Sequence, residues 1–126
     1  MQRGSCLNKR ETGAKREALA AEYLAAGGMS IKERNFRSRQ GEIDIIGYHN
    51  GYLVFVEVKY RRTEDFGSAP EAVDFRKQRR ICRAADYYRY LHRLGDDCPV
   101  RYDVVAVQGT EINWIQNAFL HVYAHG

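Results

Sequence analysis

A chain of 126 residues with 44% hydrophobic and 29% charged residues has the make-up of one soluble globular domain, and it can bury roughly two-thirds of its unfolded surface. Two prolines, 11 glycines and no apolar run near the roughly 20 residues of a membrane span exclude the low-complexity, collagenous and membrane-spanning classes. Lys and Arg number 20 against 16 Asp and Glu, a net charge of +4 with a pI near 9.0, which suits a polyanionic partner such as nucleic acid and suits a solvated surface as well.

Residues 1–11 lack the apolar stretch of a secretory signal and read as a flexible tail on a single domain spanning 1–126. Residues 14–26 are rich in helix formers, with Thr12 placed to cap them and Gly27-Gly28 to close them. Met29 to Arg37 carries a weak strand pattern. Gly41 to Tyr48 and Tyr52 to Tyr60 are strong strands by β-branched and aromatic content, and the Asn50-Gly51 between them signals a hairpin. A polar loop follows over 61–69, and Pro70 suits a first helical position. Ala72 to Leu94 predicts a long helix with Val73, Ile81, Ala84, Tyr88 and Leu91 as its apolar stripe. After a break over Gly95 to Pro99, Tyr102 to Val107 is a continuous apolar run, the mark of a buried strand. Glu111 to Phe119 reads as a short strand or a turn with a terminal helical piece, with Trp114 in the core. The order predicts an α/β domain with a mixed sheet flanked by helices, the long helix serving as a right-handed crossover to a parallel strand. Cys6, Cys82 and Cys98 are odd in number and match no zinc spacing. With no export signal the expected compartment is the reducing cytoplasm, with Cys82 packed as a small hydrophobe.

The hairpin can be paired on paper. With Asn50 and Gly51 central in the turn, Ile46 faces Phe55, Asp44 faces Glu57 and Glu42 faces Lys59, each pair on one sheet face with Cβ atoms roughly 4.5 to 5.5 Å apart. One face then reads Ile43, Ile45, Val54, Val56 and Val58. The other reads Leu53, Phe55 and Ile46, then Asp44, Glu57, Glu42 and Lys59. Opposed carboxylates among apolar neighbours repel. A divalent cation would relieve this, since Mg²⁺ takes one or two carboxylates and keeps several waters. A lysine beside such a site is equipment for metal-assisted phosphodiester hydrolysis. An internal salt bridge from Lys59 to Glu42 or Glu57 relieves the repulsion too, and both readings stand on spacing alone.

Further charges converge on the same place. Glu17 shares a helical face with Ala20, Ala21 and Leu24. It reads as a further ligand, or as a carboxylate favoured by the helix dipole. Lys77 continues the stripe through Val73 and Ile81, placed either to contact phosphate or to snorkel. Arg76, Arg80 and Arg83 share another flank, able to grip a sugar–phosphate backbone or to sit in solvent. Basic clusters also occur at Lys9-Arg10, Arg34 to Arg39, and Lys59 to Arg62. The expected nucleic-acid-binding set is Lys77, Arg61, Arg62, Arg76 and Arg80. The four histidines show no metal or catalytic spacing. Tyr87, Tyr88 and Tyr90 follow one another too closely to share one helical face, so core and rim packing is expected of them, with base stacking for some as the other reading.

Asp44 followed by Glu57-Val58-Lys59 resembles the PD-(D/E)xK nuclease superfamily. The wider set resembles the YraN-like family of bacterial proteins over nearly the whole chain. It comprises Gly41-Glu42-Ile43-Asp44-Ile45-Ile46, Val54 to Arg61, Arg101 to Val107, Thr12-Gly13 with Glu17, Lys77-Gln78, and Trp114-Ile115 through Ala118-Phe119. The resemblance implies a restriction-endonuclease-like core of order αβββαβ and a similarity to Holliday-junction resolvases. It implies that Asp44 and Glu57 are metal ligands, Lys59 the catalytic lysine and Glu17 a helix-borne carboxylate. Ile43 stands where the superfamily motif has proline.

The leading expectation is therefore a Mg²⁺- or Mn²⁺-dependent endonuclease acting on DNA, branched DNA included, as a two-fold dimer if both strands of a junction are cut. The alternatives are a nucleic-acid-binding protein of the same fold without efficient cleavage, and a protein-interaction module whose acidic pair is structural.

Overall fold

The computed structural model describes residues 5–61 and 73–123, with side chains from residue 13 onward. Helix α1 (Ser5–Ala26) is followed by strands β1 (Ser30–Arg37), β2 (Glu42–His49) and β3 (Tyr52–Arg61). Helix α2 (Phe75–Leu91) and strands β4 (Val100–Gln108) and β5 (Glu111–Phe119) complete the chain. The strands form one mixed sheet in the order β1-β2-β3-β4-β5. Only the β3–β4 pairing, bridged by α2, is parallel.

Each sheet face is covered by one helix. Ala20 and Leu24 of α1 pack with Met29, Ile45, Val54, Val56, Val58, Val105 and Val107. Ile81, Cys82, Ala84, Ala85 and Tyr88 of α2 pack with Phe36, Ile43, Ile46, Leu53, Phe55 and Tyr102. A sheet covered on both sides must be apolar on both sides. That is why Leu53 to Val56 are buried without alternation, and why Arg101 to Val107 are all buried. No helix among the described residues is long and apolar enough to cross a membrane.

The local signals hold where sterics dictate them. Asn50 and Gly51 both have positive φ, 53° and 84°, as a primed two-residue hairpin turn requires. The hairpin keeps the expected register from His49↔Tyr52 to Ile45↔Val56. Gly28, at φ 103°, closes α1, with Gly28 N donating to Ala25 O and Met29 N to Leu24 O, a Schellman closure.

Several expectations are corrected. Helix α1 begins at Ser5, inside the stretch read as a tail, so Thr12 lies within the helix and is not its cap. Helix α2 begins after Asp74, whose side chain accepts from Lys77 N. Pro70 and the rest of 62–72 lie outside the described residues. Leu91 is exposed and not part of the core stripe. Glu111–Phe119 is a full strand, and Trp114 is only partly buried. Ile43 packs on the α2 side while Ile45 packs on the α1 side. Strict alternation therefore breaks between Ile43 and Ile45, on either side of Asp44.

The apolar reading of β4 also missed a buried charge pair. Asp103 is fully buried. It accepts from Arg101 Nε at 2.9 Å and Nη2 at 2.8 Å, from Trp114 Nε1 at 2.8 Å and from Asn117 N at 2.9 Å. Arg101 Nη2 also reaches His49 Nδ1 at 2.9 Å. A guanidinium can only donate, so this His49 nitrogen accepts. The network ties β2, β4 and β5 together. Replacing Asp103 by Ala strands a buried guanidinium, and we expect a loss of about 3–5 kcal/mol of stability in urea unfolding. Replacing Arg101 and Asp103 together by apolar residues should cost less than Asp103→Ala alone.

Candidate active site

The site begins where β2 and β3 part. Their paired register stops at Ile45↔Val56. Beyond it β2 runs with β1 through Phe36↔Ile43 and Arg37↔Glu42. β3 runs with β4 through Glu57↔Val104, Lys59↔Ala106 and Arg61↔Gln108. In the fork the Asp44 side chain replaces a backbone carbonyl, its Oδ2 accepting from Val58 N at 2.8 Å. The ladder pairs expected of Asp44 with Glu57 and of Glu42 with Lys59 therefore do not form.

Asp44 and Glu57 nonetheless share one cleft. It holds about 300 Å³ and is lined by Ser38, Gly41, Glu42, Asp44, Glu57, Lys77, Arg80 and Ile81. Lys77 comes from the first turn of α2, and its Nζ lies 3.0 Å from Glu57 Oε2. An ion pair on Glu57 does form, then, through Lys77. The pair holds the lysine pKa above its ordinary value. The opposite wall is the β1–β2 turn, where the Ser38 hydroxyl donates to Gly41 O at 3.1 Å. Gly41 sits at φ 154°, and a Cβ there would meet Arg80 O at 3.0 Å. Glycine thus lets α2 approach this turn closely.

The remaining expected residues do not all join this cleft. Lys59 is half-buried, two residues beyond Glu57 and so on the same side of β3. Glu17 reaches towards the fork from α1. Its Oε1 lies 3.9 Å from Arg34 Nη2, and its charge acts on both Asp44 and Tyr60. Arg80 lines the cleft, while Arg76 is exposed on the first turns of α2. Arg61 lies at the end of β3 in a separate cleft of about 490 Å³ with Ala106, Gln108, Glu111, Ile112 and Asn113. Arg62 lies outside the described residues.

Two participants went unread in the sequence. The Val58 amide that holds Asp44 exists only because the strands diverge. Tyr60 is pushed up to about 12 by burial and then by the charges of Glu17 and Asp44. Its hydroxyl donates to Gly13 O at 3.4 Å. Its period-2 offset from Val58 was the available signal.

The electrostatics centre on Asp44. Burial first, then the charge of Glu57, push its pKa up to about 7, against the opposing Val58 hydrogen bond. Ionising Asp44 at neutral pH therefore costs free energy. A hard cation with oxygen ligands would offset that cost. Among the described residues no group of three or more His, Cys, Asp and Glu side chains is arranged to hold a metal. The protein supplies two carboxylates, a donor set that fits Mg²⁺ or Mn²⁺, which retain waters. A carboxyl whose folded pKa is raised stabilises the protein at low pH and loses that contribution as pH rises through the folded value. Metal-free protein should thus lose stability between about pH 4 and pH 7, by on the order of 2–4 kcal/mol from this group. Asp44→Asn keeps an oxygen for Val58 N. We expect it to flatten that slope and raise the melting temperature at pH 8 in a chelator, as read by thermal unfolding across pH.

Relatives match most of this chain and nearly all of their own length. A "UPF0102 protein" of Lachnoclostridium phytofermentans is 49% identical over 113 residues, covering 90% of this chain and 96% of its own. One of Shewanella oneidensis is 46% identical over 107 residues, covering 85% and 97%. One of Stutzerimonas stutzeri is 41% identical over 112 residues, covering 86% and 93%. The profile of the Uncharacterised protein family UPF0102 matches residues 16–107, which include Glu17, Asp44, Glu57, Lys59 and Lys77. The chain belongs to this family, the YraN-like family of the restriction-endonuclease-like superfamily.

Proposed function

We propose that the protein is a Mg²⁺- or Mn²⁺-dependent endonuclease that hydrolyses phosphodiester bonds in DNA, branched DNA included, in the cytoplasm. The observation that carries this reading is the pair of half-buried carboxylates, Asp44 and Glu57, brought to one cleft with cationic Lys77 and Arg80 on its rim. Asp44 and Glu57 would hold the metal ion. When bound, it supplies Lewis acidity towards the phosphate and a more acidic water.

The chain's own groups supply the rest. The Val58 amide fixes the Asp44 carboxylate, so its orientation is set before any ligand arrives. Lys77 orients Glu57 and can move to a phosphate oxygen, exchanging one anionic partner for another. Lys59 orients the attacking water, and its ammonium offsets the negative charge that grows on the phosphate in the transition state. Arg76 and Arg80 bind neighbouring phosphates, which positions the strand without reading its sequence. Cutting both strands of a junction would call for two such sites, hence a homodimer.

A second reading, a nucleic-acid-binding protein of this fold without efficient cleavage, is favoured by the Lys77–Glu57 ion pair, which already neutralises one carboxylate. Cleavage of labelled single-stranded, duplex, flap and four-way-junction DNA in Mn²⁺ separates the two. On the nuclease reading the parent cuts at least one of them. Lys59→Ala then loses about 10²-fold or more in rate with its melting temperature and DNA affinity little changed. A Lys59→Ala protein that cuts as fast as the parent ends the assignment of the lysine. A parent that binds all four and cuts none favours the second reading.

A further inference from the structure

The outer surface of α2 carries a pattern that extends well beyond the cleft. Arg76, Arg79, Arg80, Arg83, Tyr87 and Tyr90 are all exposed. At 100° per residue they fall within a single stripe about 100° wide. The buried positions Ile81, Ala84, Ala85 and Tyr88 lie on the other side of the helix. The four arginines come first and the two tyrosines last. The stripe contains no acidic residue. The one acid of α2, Asp86, falls about 20° beyond the edge of the stripe and pairs with Arg89 and His121. Tyr90 is 78% exposed, so nearly its whole ring is open to solvent. Tyr87 leans on Phe36 at 6.4 Å between ring centroids and keeps one third of its surface in solvent. The stripe is continuous with the candidate active site, because Arg80 belongs to both.

We infer that this stripe is a track for a single-stranded DNA arm leaving the active-site cleft, with arginines on its phosphates and Tyr87 and Tyr90 stacked on its bases. The inference rests on the nucleic-acid reading of the cleft and narrows its substrate to DNA with an unpaired strand next to the cut. Charge alone would serve a duplex equally, since phosphate contacts do not distinguish the two. The tyrosines decide the matter. A ring can stack only on a base whose face is open, and duplex bases present their faces to one another. From Arg76 to Tyr90 the helix rises about 21 Å, room for a few nucleotides of extended strand. The order along the helix gives the strand a direction of travel, from phosphate grip beside the cleft to base stacking at the far end.

The test is fluorescence anisotropy of the full chain in a chelator, with a mixed-sequence single-stranded 12-mer, a duplex of the same length and a fork carrying both. The parent should bind the single strand and the fork more tightly than the duplex. Tyr90→Ala should weaken single-strand and fork binding by about tenfold and leave duplex binding unchanged, while Tyr90→Phe should retain it. Arg83→Ala should weaken all three. Tyr90 is so exposed that its loss leaves the core intact, which circular dichroism would verify. Equal binding of the single strand by parent and Tyr90→Ala would overturn the inference. So would a preference for duplex, or polyglutamate competing as well as DNA. Because binding is read without metal, these outcomes are separate from those of the cleavage assay. A protein that never cuts can still show the Tyr90 effect, and a nuclease can lack it.

Discussion

The hydrogen bond from Val58 N to Asp44 Oδ2, 2.8 Å long, is the contact on which the candidate site depends. An aspartate near the middle of a five-stranded sheet would ordinarily be a defect. Here β2 and β3 part after Ile45↔Val56, while β2 stays paired with β1 and β3 with β4. The Asp44 carboxylate takes the Val58 amide, so a side chain bridges the strands where their backbone pairing ends. The same divergence exposes Glu57 to the cleft and brings α2 over it with Lys77 and Arg80.

This arrangement stores electrostatic cost in one place. Burial and Glu57 both disfavour a charged Asp44, and Glu17 adds to that from the other side of the sheet. Lys77 relieves part of it. Elsewhere the fold treats buried charge differently. Asp103, with four donors around its two oxygens, sits in a satisfied network that ties three strands together. The contrast separates a structural carboxylate from one poised to accept a ligand. The first has its donors within the protein, and the second accepts from a backbone amide with a like charge as neighbour.

Much of this was legible in the residues. The Asn50-Gly51 turn set the hairpin register through Ile45↔Val56, because sterics leave few residues able to adopt positive φ twice in succession. Alternation placed Glu57 and Lys59 on one side of β3, and helical spacing placed Lys77 near them, while Arg80, read on a separate flank, lines the cleft as well. What could not be read were effects that arise between distant segments. Ile43 packs on the face opposite to Ile45 without any local sign of doing so. The fork at Asp44 is a feature of how β2 and β3 diverge, which no local pattern announces. Lys77, read as a phosphate contact or a snorkelling side chain, pairs with Glu57. Arg101 and Asp103 stood two apart in an apolar run, the spacing that puts both on one face, and that spacing was the signal for their pairing.

The central claim is that the fork between β2 and β3 holds a divalent cation on Asp44 and Glu57. Titrating Mn²⁺ into the protein and following the free-ion signal by electron paramagnetic resonance tests this without reference to any substrate. The account predicts saturable loss of that signal with the parent, and no such loss with Asp44→Asn or Glu57→Gln. A parent that leaves the free Mn²⁺ signal unchanged, or an Asp44→Asn protein that takes up the ion as tightly as the parent, would contradict it.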